Sequence, residues 1–481
     1  MVSLSYEQQI EIGYRYVRDQ LEAASPYGAL RLRKEGFYTP DRKEELEAEL
    51  DAAALFVRAL TADRTAVLDL RQQMTALKDL RGTFDRCAEG MILTEVELFE
   101  LSSFCNRIRL MIPLAERLRT FGAADSLMLS DMEAPLRILQ PEEPGRTGFY
   151  IEDSRTPALL EARSAKRSLA RLIRQERNES LLRQHQKAAD AEEKALAAIY
   201  ADLSGSLRPY MPLFRKNADT AGRLDAALAK ALQAIRFGCT RPRIGGNALL
   251  MTDAIHPQVA SALERENRSF SPISIRMPQG VTVLTGANMG GKSIALKTVL
   301  LNTALALSGC FVFCREAEIP MFGRIDLISR DLSDAEQGLS SFGAEILAFN
   351  EAAAHISTEG LSLIVMDEFS RGTNAEEGSA IVRAAVKYLA GKNTVTLLAT
   401  HYEGAAEFAV KHYQVKGLRK QEGASDLPPA GSPSEALRRI GEAMDYGLIE
   451  VRPGTECPHD AVRICRMLGL PQEMLTMLEK D

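Results

Sequence analysis

The sequence predicts an α + α/β fold: a helical first half, an α/β layer built round a phosphate-binding loop, and a helical tail. Three observations predict it. Residues 1–236 place apolar side chains at helical spacing without sustained alternation, as in Glu44-Glu45-Leu46-Glu47-Ala48-Glu49-Leu50. Beyond them, short β-rich runs at 281–284, 363–366 and 394–398 alternate with helical segments, the pattern of a largely parallel sheet. Between the first of those runs and the helical stretch Ile294-Ala295-Leu296-Lys297 lies Gly286-Ala287-Asn288-Met289-Gly290-Gly291-Lys292-Ser293, a G-x-x-x-x-G-K-S pattern in a strand-loop-helix setting.

Four segments follow in order: a helical domain at 1–157, short helical arms at 158–236, the phosphate-loop domain at 237–430 and a helical segment at 431–481. Pro141-Glu142-Glu143-Pro144-Gly145 breaks the first, as a surface loop. Residues 158–204 contain neither glycine nor proline. One helix of that length would reach about 70 Å; a hairpin turning near Asn178-Glu179-Ser180 would give two arms of about half that. Arg163, Arg167, Arg171 and Arg174 fall on one face of it, read either as a solvated arm or as a polyanion contact.

Composition bounds the function. Apolar content of 46% and charged content of 26% are ordinary for a globular chain, and the net charge of −6 argues against a chain-wide nucleic-acid coat. Seven scattered cysteines make a disulfide framework improbable and point to a reduced cytoplasm. The N-terminus has no basic and apolar leader pattern, and no apolar run is long enough to span a bilayer, so no membrane role is expected.

The chemistry concentrates in the second half. The loop glycines let backbone N–H groups turn round phosphates, Lys292 reaches the β- and γ-phosphates, and the Ser293 hydroxyl can ligate Mg²⁺. Leu363-Ile364-Val365-Met366-Asp367-Glu368 reads as a buried strand ending in two carboxylates. Asp367 is placed to hold Mg²⁺ through its water shell, and Glu368 to orient and deprotonate an attacking water. After the strand at 394–398 comes Ala399-Thr400-His401-Tyr402, where His401 can hydrogen-bond a γ-phosphate or the attacking water. In Gly338-Leu339-Ser340-Ser341-Phe342-Gly343-Ala344-Glu345, a serine at a helix start can face a phosphate or simply cap the helix.

These motifs together resemble those of the MutS family of ABC-type ATPases. Thr285-Gly286-Ala287-Asn288-Met289-Gly290-Gly291-Lys292-Ser293 is similar to its T-G-P-N-M-G-G-K-S loop. Met366-Asp367-Glu368-Phe369-Ser370-Arg371-Gly372-Thr373 resembles M-D-E-x-G-R-G-T, residues 399–402 match A-T-H-Y, and Gly338-Leu339-Ser340-Ser341-Phe342 resembles G-R-S-T-F. The resemblance implies an ABC-type P-loop ATPase using ATP and Mg²⁺, catalysed by Lys292, Glu368 and His401. It also implies a homodimer with composite sites, in which Ser340 of one subunit faces the γ-phosphate held by Lys292 of the other, and residues 431–481 as a dimerisation segment. Phe270 falls where the family stacks an aromatic ring on adenine. Ile294, closing the loop, replaces the family's threonine, as Ala287 and Phe313 replace prolines. Leu307 stands where many members carry a glutamine, putting one metal- or water-sensing contact in doubt. His256-Pro257 matches an H-P pair of the family, and the helical first half resembles its core and lever domains.

The same comparison leads us to expect a short form, without the family's mismatch-reading domain and without its DNA clamp. Two functions then compete. One is a DNA-acting ATPase of repair or recombination type, with the arginine face as its contact. The other remodels a protein partner, as in reactivation of an adenosylcobalamin-dependent aminomutase.

Overall fold

In the computed structural model the described residues are 4–141, 150–176, 178–286, 291–329, 341–356, 360–402, 404–418, 438–441, 443–453, 455 and 461–478. They form two compact units, neither continuous in sequence. The first comprises Met1–Leu21, Glu35–Ala54 and Lys230–Asp481; the second comprises Glu22–Lys34 and Leu55–Ala229.

The second unit is helical. Its longest early helix, Glu95–Arg117, starts on a capping box in which Thr94 accepts from Glu97 N–H and the Glu97 side chain answers the Thr94 N–H. The core is aromatic: Phe104 lies 5.7 Å from both Phe84 and Phe214, with Tyr27 edge-on at 6.2 Å. The stretch without glycine or proline is a hairpin of helices Pro157–Gln175 and Glu179–Leu207. Thr156 caps the first arm, with Pro157 at its opening position, and Asn178 caps the second. Glu192 of the second arm bridges Arg163 (3.0 Å) and Lys166 (2.6 Å) of the first.

The first unit carries two sheets. A six-stranded sheet contains β4 (Gly280–Thr285), β6 (Arg324–Ile328), β7 (Ser362–Asp367), β8 (Thr394–Ala399), β9 (Lys411–Leu418) and β10 (Met444–Val451), in the order β10-β9-β4-β8-β7-β6. All neighbours are parallel except β9 and β10. Strands β4 and β8 are buried throughout, as sheets covered on both faces require. Helix Ala375–Ala390 packs Val382, Val386 and Leu389 into the core with Val281, Ile364, Met366 and Leu398. Helix Lys292–Leu307 is apolar nearly all round and buried. The smaller sheet runs β1-β5-β2-β3, with β1 (Arg243–Ile244), β2 (Ala248–Ala254), β3 (Ile273–Pro278) and β5 (Glu316–Ile319).

The tail differs from the expected all-helical segment. Helices Ala461–Met467 and Gln472–Leu478 are present, but β10 precedes them as an antiparallel edge on β9. The run Tyr446-Gly447-Leu448-Ile449-Glu450-Val451 is too short to show a period, so its pairing partner decides its state. No helix among the described residues is long and apolar enough to cross a membrane.

Candidate nucleotide site

Because β4, β8 and β7 are parallel neighbours, their carboxyl ends meet at one edge. In register, Leu284 and Asp367 both stand opposite Ala399. Open parallel sheets bind ligands at such an edge. Here the phosphate-loop motif, the paired carboxylates and His401 come together, although the chain separates them by up to 115 residues (401 − 286).

The loop leaves β4 at Gly286 and enters helix Lys292–Leu307 at Gly291. Both glycines have positive φ, 138° and 79°, a region costly for residues with a Cβ. A Cβ on Gly291 would lie 2.9 Å from the Tyr446 ring. Ala287, Asn288, Met289 and Gly290 lie outside the described residues. Lys292 is only 4% exposed; its Nζ donates to the Gly286 carbonyl at 2.8 Å and stands 3.8 Å from Glu368 Oε1. Its charge is therefore held between the Gly286 carbonyl and the Glu368 side chain.

Next to it, Ser293 hydrogen-bonds Asp367. Oδ1 of that carboxyl is buried and has no hydrogen-bond partner among the described residues. Burial, and then the charge of Glu368, push the Asp367 carboxyl above its ordinary range, against the Ser293 bond and Lys297. A hydroxyl beside an orphaned buried carboxylate oxygen is a donor set that fits Mg²⁺.

Glu368 begins the turn after β7 in a left-handed conformation, φ 52°, with its N–H donating to Ala399 O at 3.0 Å. Its Oε2 accepts from the Arg371 guanidinium. Two residues on, Ser370 is also left-handed (φ 68°) and fully buried. The Ser370 N–H donates to Glu345 Oε2 at 2.7 Å, and its carbonyl accepts from the Tyr402 hydroxyl at 3.1 Å. Partial burial lowers the His401 pKa; Lys292 and Arg371 add to this and Glu368 opposes it. The imidazole is thus neutral at pH 7 and able to donate or accept.

Phe270 lines a pocket of about 800 Å³ together with Gly291, Ile294 and Ala295 of the helix start and with Met444 and Tyr446. Ser340 lies outside the described residues. Helix Ser341–His355 follows it directly.

Sequence reasoning missed several residues here. His412 is buried and bridges Thr285 Oγ1 (2.8 Å) to the Arg452 carbonyl (3.2 Å), fixing the end of β4. Tyr446, Glu345 and the left-handed Ser370 were also unforeseen. Only Ser370 left a trace, as a serine where the resembled M-D-E-x-G-R-G-T pattern has glycine. Two further positions find their place in the fold. Leu307 ends its 16-residue helix about 22 Å along the axis from Lys292, so it is a core position unable to touch a metal or water at the loop. The arginine face is half used inside the protein. Arg163 binds Asp153, Glu192 and the Ile151 carbonyl and lies over the Tyr150 ring, while Arg167 pairs with Asp153 at 2.6 Å. Arg171 and Arg174 are exposed.

Fold and site together define an α/β architecture with a phosphate-loop motif at the carboxyl edge of a parallel sheet. Residues 282–429 match the family model of MutS domain V. Over 342 residues the chain is 30% identical to the DNA mismatch repair protein MutS of Chloroflexus aurantiacus, covering 68% of this chain and 33% of that protein. The MutS of Natronomonas pharaonis is 26% identical over 303 residues (62% of this chain, 32% of the relative). Endonuclease MutS2 of Lactococcus lactis subsp. cremoris is 27% identical over 293 residues (59% and 34%). The chain belongs to the MutS family. It spans about a third of the length of these curated relatives.

Proposed function

We propose that this chain is a Mg²⁺-dependent ATPase whose domain at 237–430 drives a dimeric switch. The observation that carries the reading is the buried Lys292 ammonium set between the Gly286 carbonyl and Glu368, beside the Ser293–Asp367 pair with its orphaned oxygen. Lys292 and the N–H groups of residues 286–294 cradle the phosphates, and Phe270 stacks on the base in the pocket it shares with Ile294. Ser293 and Asp367 hold Mg²⁺, which when bound supplies charge to neutralise the phosphates. Glu368, once Arg371 releases it, orients the attacking water and takes its proton. His401, neutral, hydrogen-bonds the γ-phosphate side. Ser340 of a second subunit completes each site, with residues 431–481 in the dimer contact and the cytoplasm as the working compartment.

The relatives' names, mismatch repair protein and endonuclease, support DNA as the object of the switch. A protein-remodelling role stands as a second reading, favoured by one observation: Arg163 and Arg167 already form ion pairs with Asp153 and with Glu192, which Lys166 shares. A salt titration of duplex and branched DNA binding, with and without ATP, separates the two. DNA action predicts affinity that falls steeply with salt and weakens on Arg171→Glu/Arg174→Glu. Binding absent at low salt in every nucleotide state sinks it.

A further inference from the structure

We propose that Glu345 and Tyr402 are positioning residues for the hydrolytic carboxylate, acting through the backbone of Ser370. This rests on the ATPase reading above and deepens it. Ser370 sits two residues after Glu368 in a turn where both residues are left-handed. Such a turn, in residues carrying a Cβ, persists only where neighbours over-determine it. Here both backbone groups of Ser370 are taken. Its N–H goes to Glu345 Oε2 at 2.7 Å, and its carbonyl accepts from Tyr402 at 3.1 Å. Glu345 is only 4% exposed, and its Oε2 accepts that N–H inside the protein.

A third element is shaped to permit the brace. Gly378, in helix Ala375–Ala390, faces the Tyr402 hydroxyl so closely that a Cβ there would lie 2.4 Å from it and 3.0 Å from the Ser370 carbonyl. Any larger residue would push the hydroxyl off. Tyr402 is held from its other end by its N–H donating to Thr400 Oγ1 at 3.1 Å.

The consequence is a mechanical link between three motifs. Glu345 lies in the first turns of helix Ser341–His355, five residues after Ser340. Tyr402 follows His401 directly. Both converge on the residue that fixes the turn carrying Glu368. A displacement at the start of that helix or at His401 therefore reaches Glu368 through Ser370, without a contact to nucleotide by Glu345 or Tyr402.

The test uses the full chain. Tyr402→Phe and Glu345→Ala should each lower kcat for ATP about tenfold, with KM for ATP little changed. Glu345→Gln, which keeps an acceptor oxygen, should recover most of the loss. In nucleotide-free protein, hydrogen exchange at the Ser370 amide should quicken at least about tenfold in Glu345→Ala. Wild-type kcat in both variants, or unchanged exchange at Ser370, overturns the brace, as does a Glu345→Gln protein as slow as Glu345→Ala. Lys292→Ala separates the two levels. Its turning over ATP at the wild-type rate would sink the ATPase reading of this site, whereas its inactivity beside normal Tyr402→Phe and Glu345→Ala proteins would sink only the brace.

Discussion

Single residues carry both the strain and the pH dependence of this molecule. Ser370 holds φ 68° with a hydroxyl that is buried and has no partner among the described residues. A left-handed Cβ costs about 1–2 kcal/mol, and glycine's greater freedom in the unfolded chain offsets about half of its removal. Losing the orphaned hydroxyl adds to the gain. Ser370→Gly should therefore raise unfolding stability by about 1 kcal/mol in urea titration; a lower midpoint would show the hydroxyl is used. His256 makes the opposite case. Burial lowers its pKa to about 4, with Lys297 adding to the shift and the Ile12 backbone opposing it. Between that value and about 6.5, the unfolded chain binds more protons than the folded one, so stability is lost as pH falls through that window, by about 3 kcal/mol at most. His256→Asn should flatten the fall in urea midpoint between pH 7 and 4.5; an equally steep fall in the variant would assign it elsewhere. The loop glycines, Lys292 and the Asp367-Glu368 pair were readable because their chemistry lies in local spacing. Glu345 and Tyr402 were not, because they meet Ser370 across 25 and 32 residues of chain.

Among elements, legibility followed the length of the pattern. The hairpin at 157–207 could be read because two long helices need a break, and Asn178 supplies the cap that starts the second arm. The four-stranded sheet and β10 were not read. Their strands are short, and an edge strand is defined by the neighbour it pairs with. Helical spacing also could not tell that Tyr6–Glu11 packs with the α/β unit, where Glu11 pairs with Lys297 at 3.1 Å. The hairpin yields a prediction of its own. Arg163 ties the arms together through Glu192 and anchors Asp153 and the Ile151 carbonyl, so Arg163→Ala should lower the thermal midpoint of the helical unit. Arg174→Ala, on an exposed position, should leave it unchanged. Equal effects from the two would mean the ion pairs add nothing to the hairpin.

For the whole molecule, the account requires that the residues gathered at the carboxyl edge of the six-stranded sheet act as one hydrolytic site. Single-turnover phosphate release, measured with nucleotide retention on the wild-type, Lys292→Ala and Glu368→Gln proteins, tests this most directly. The wild type should release phosphate only with Mg²⁺. Lys292→Ala should retain little ATP, and Glu368→Gln should retain ATP with phosphate release slowed at least a hundredfold, roughly the worth of a general base. A Glu368→Gln protein that releases phosphate at the wild-type rate would contradict the account.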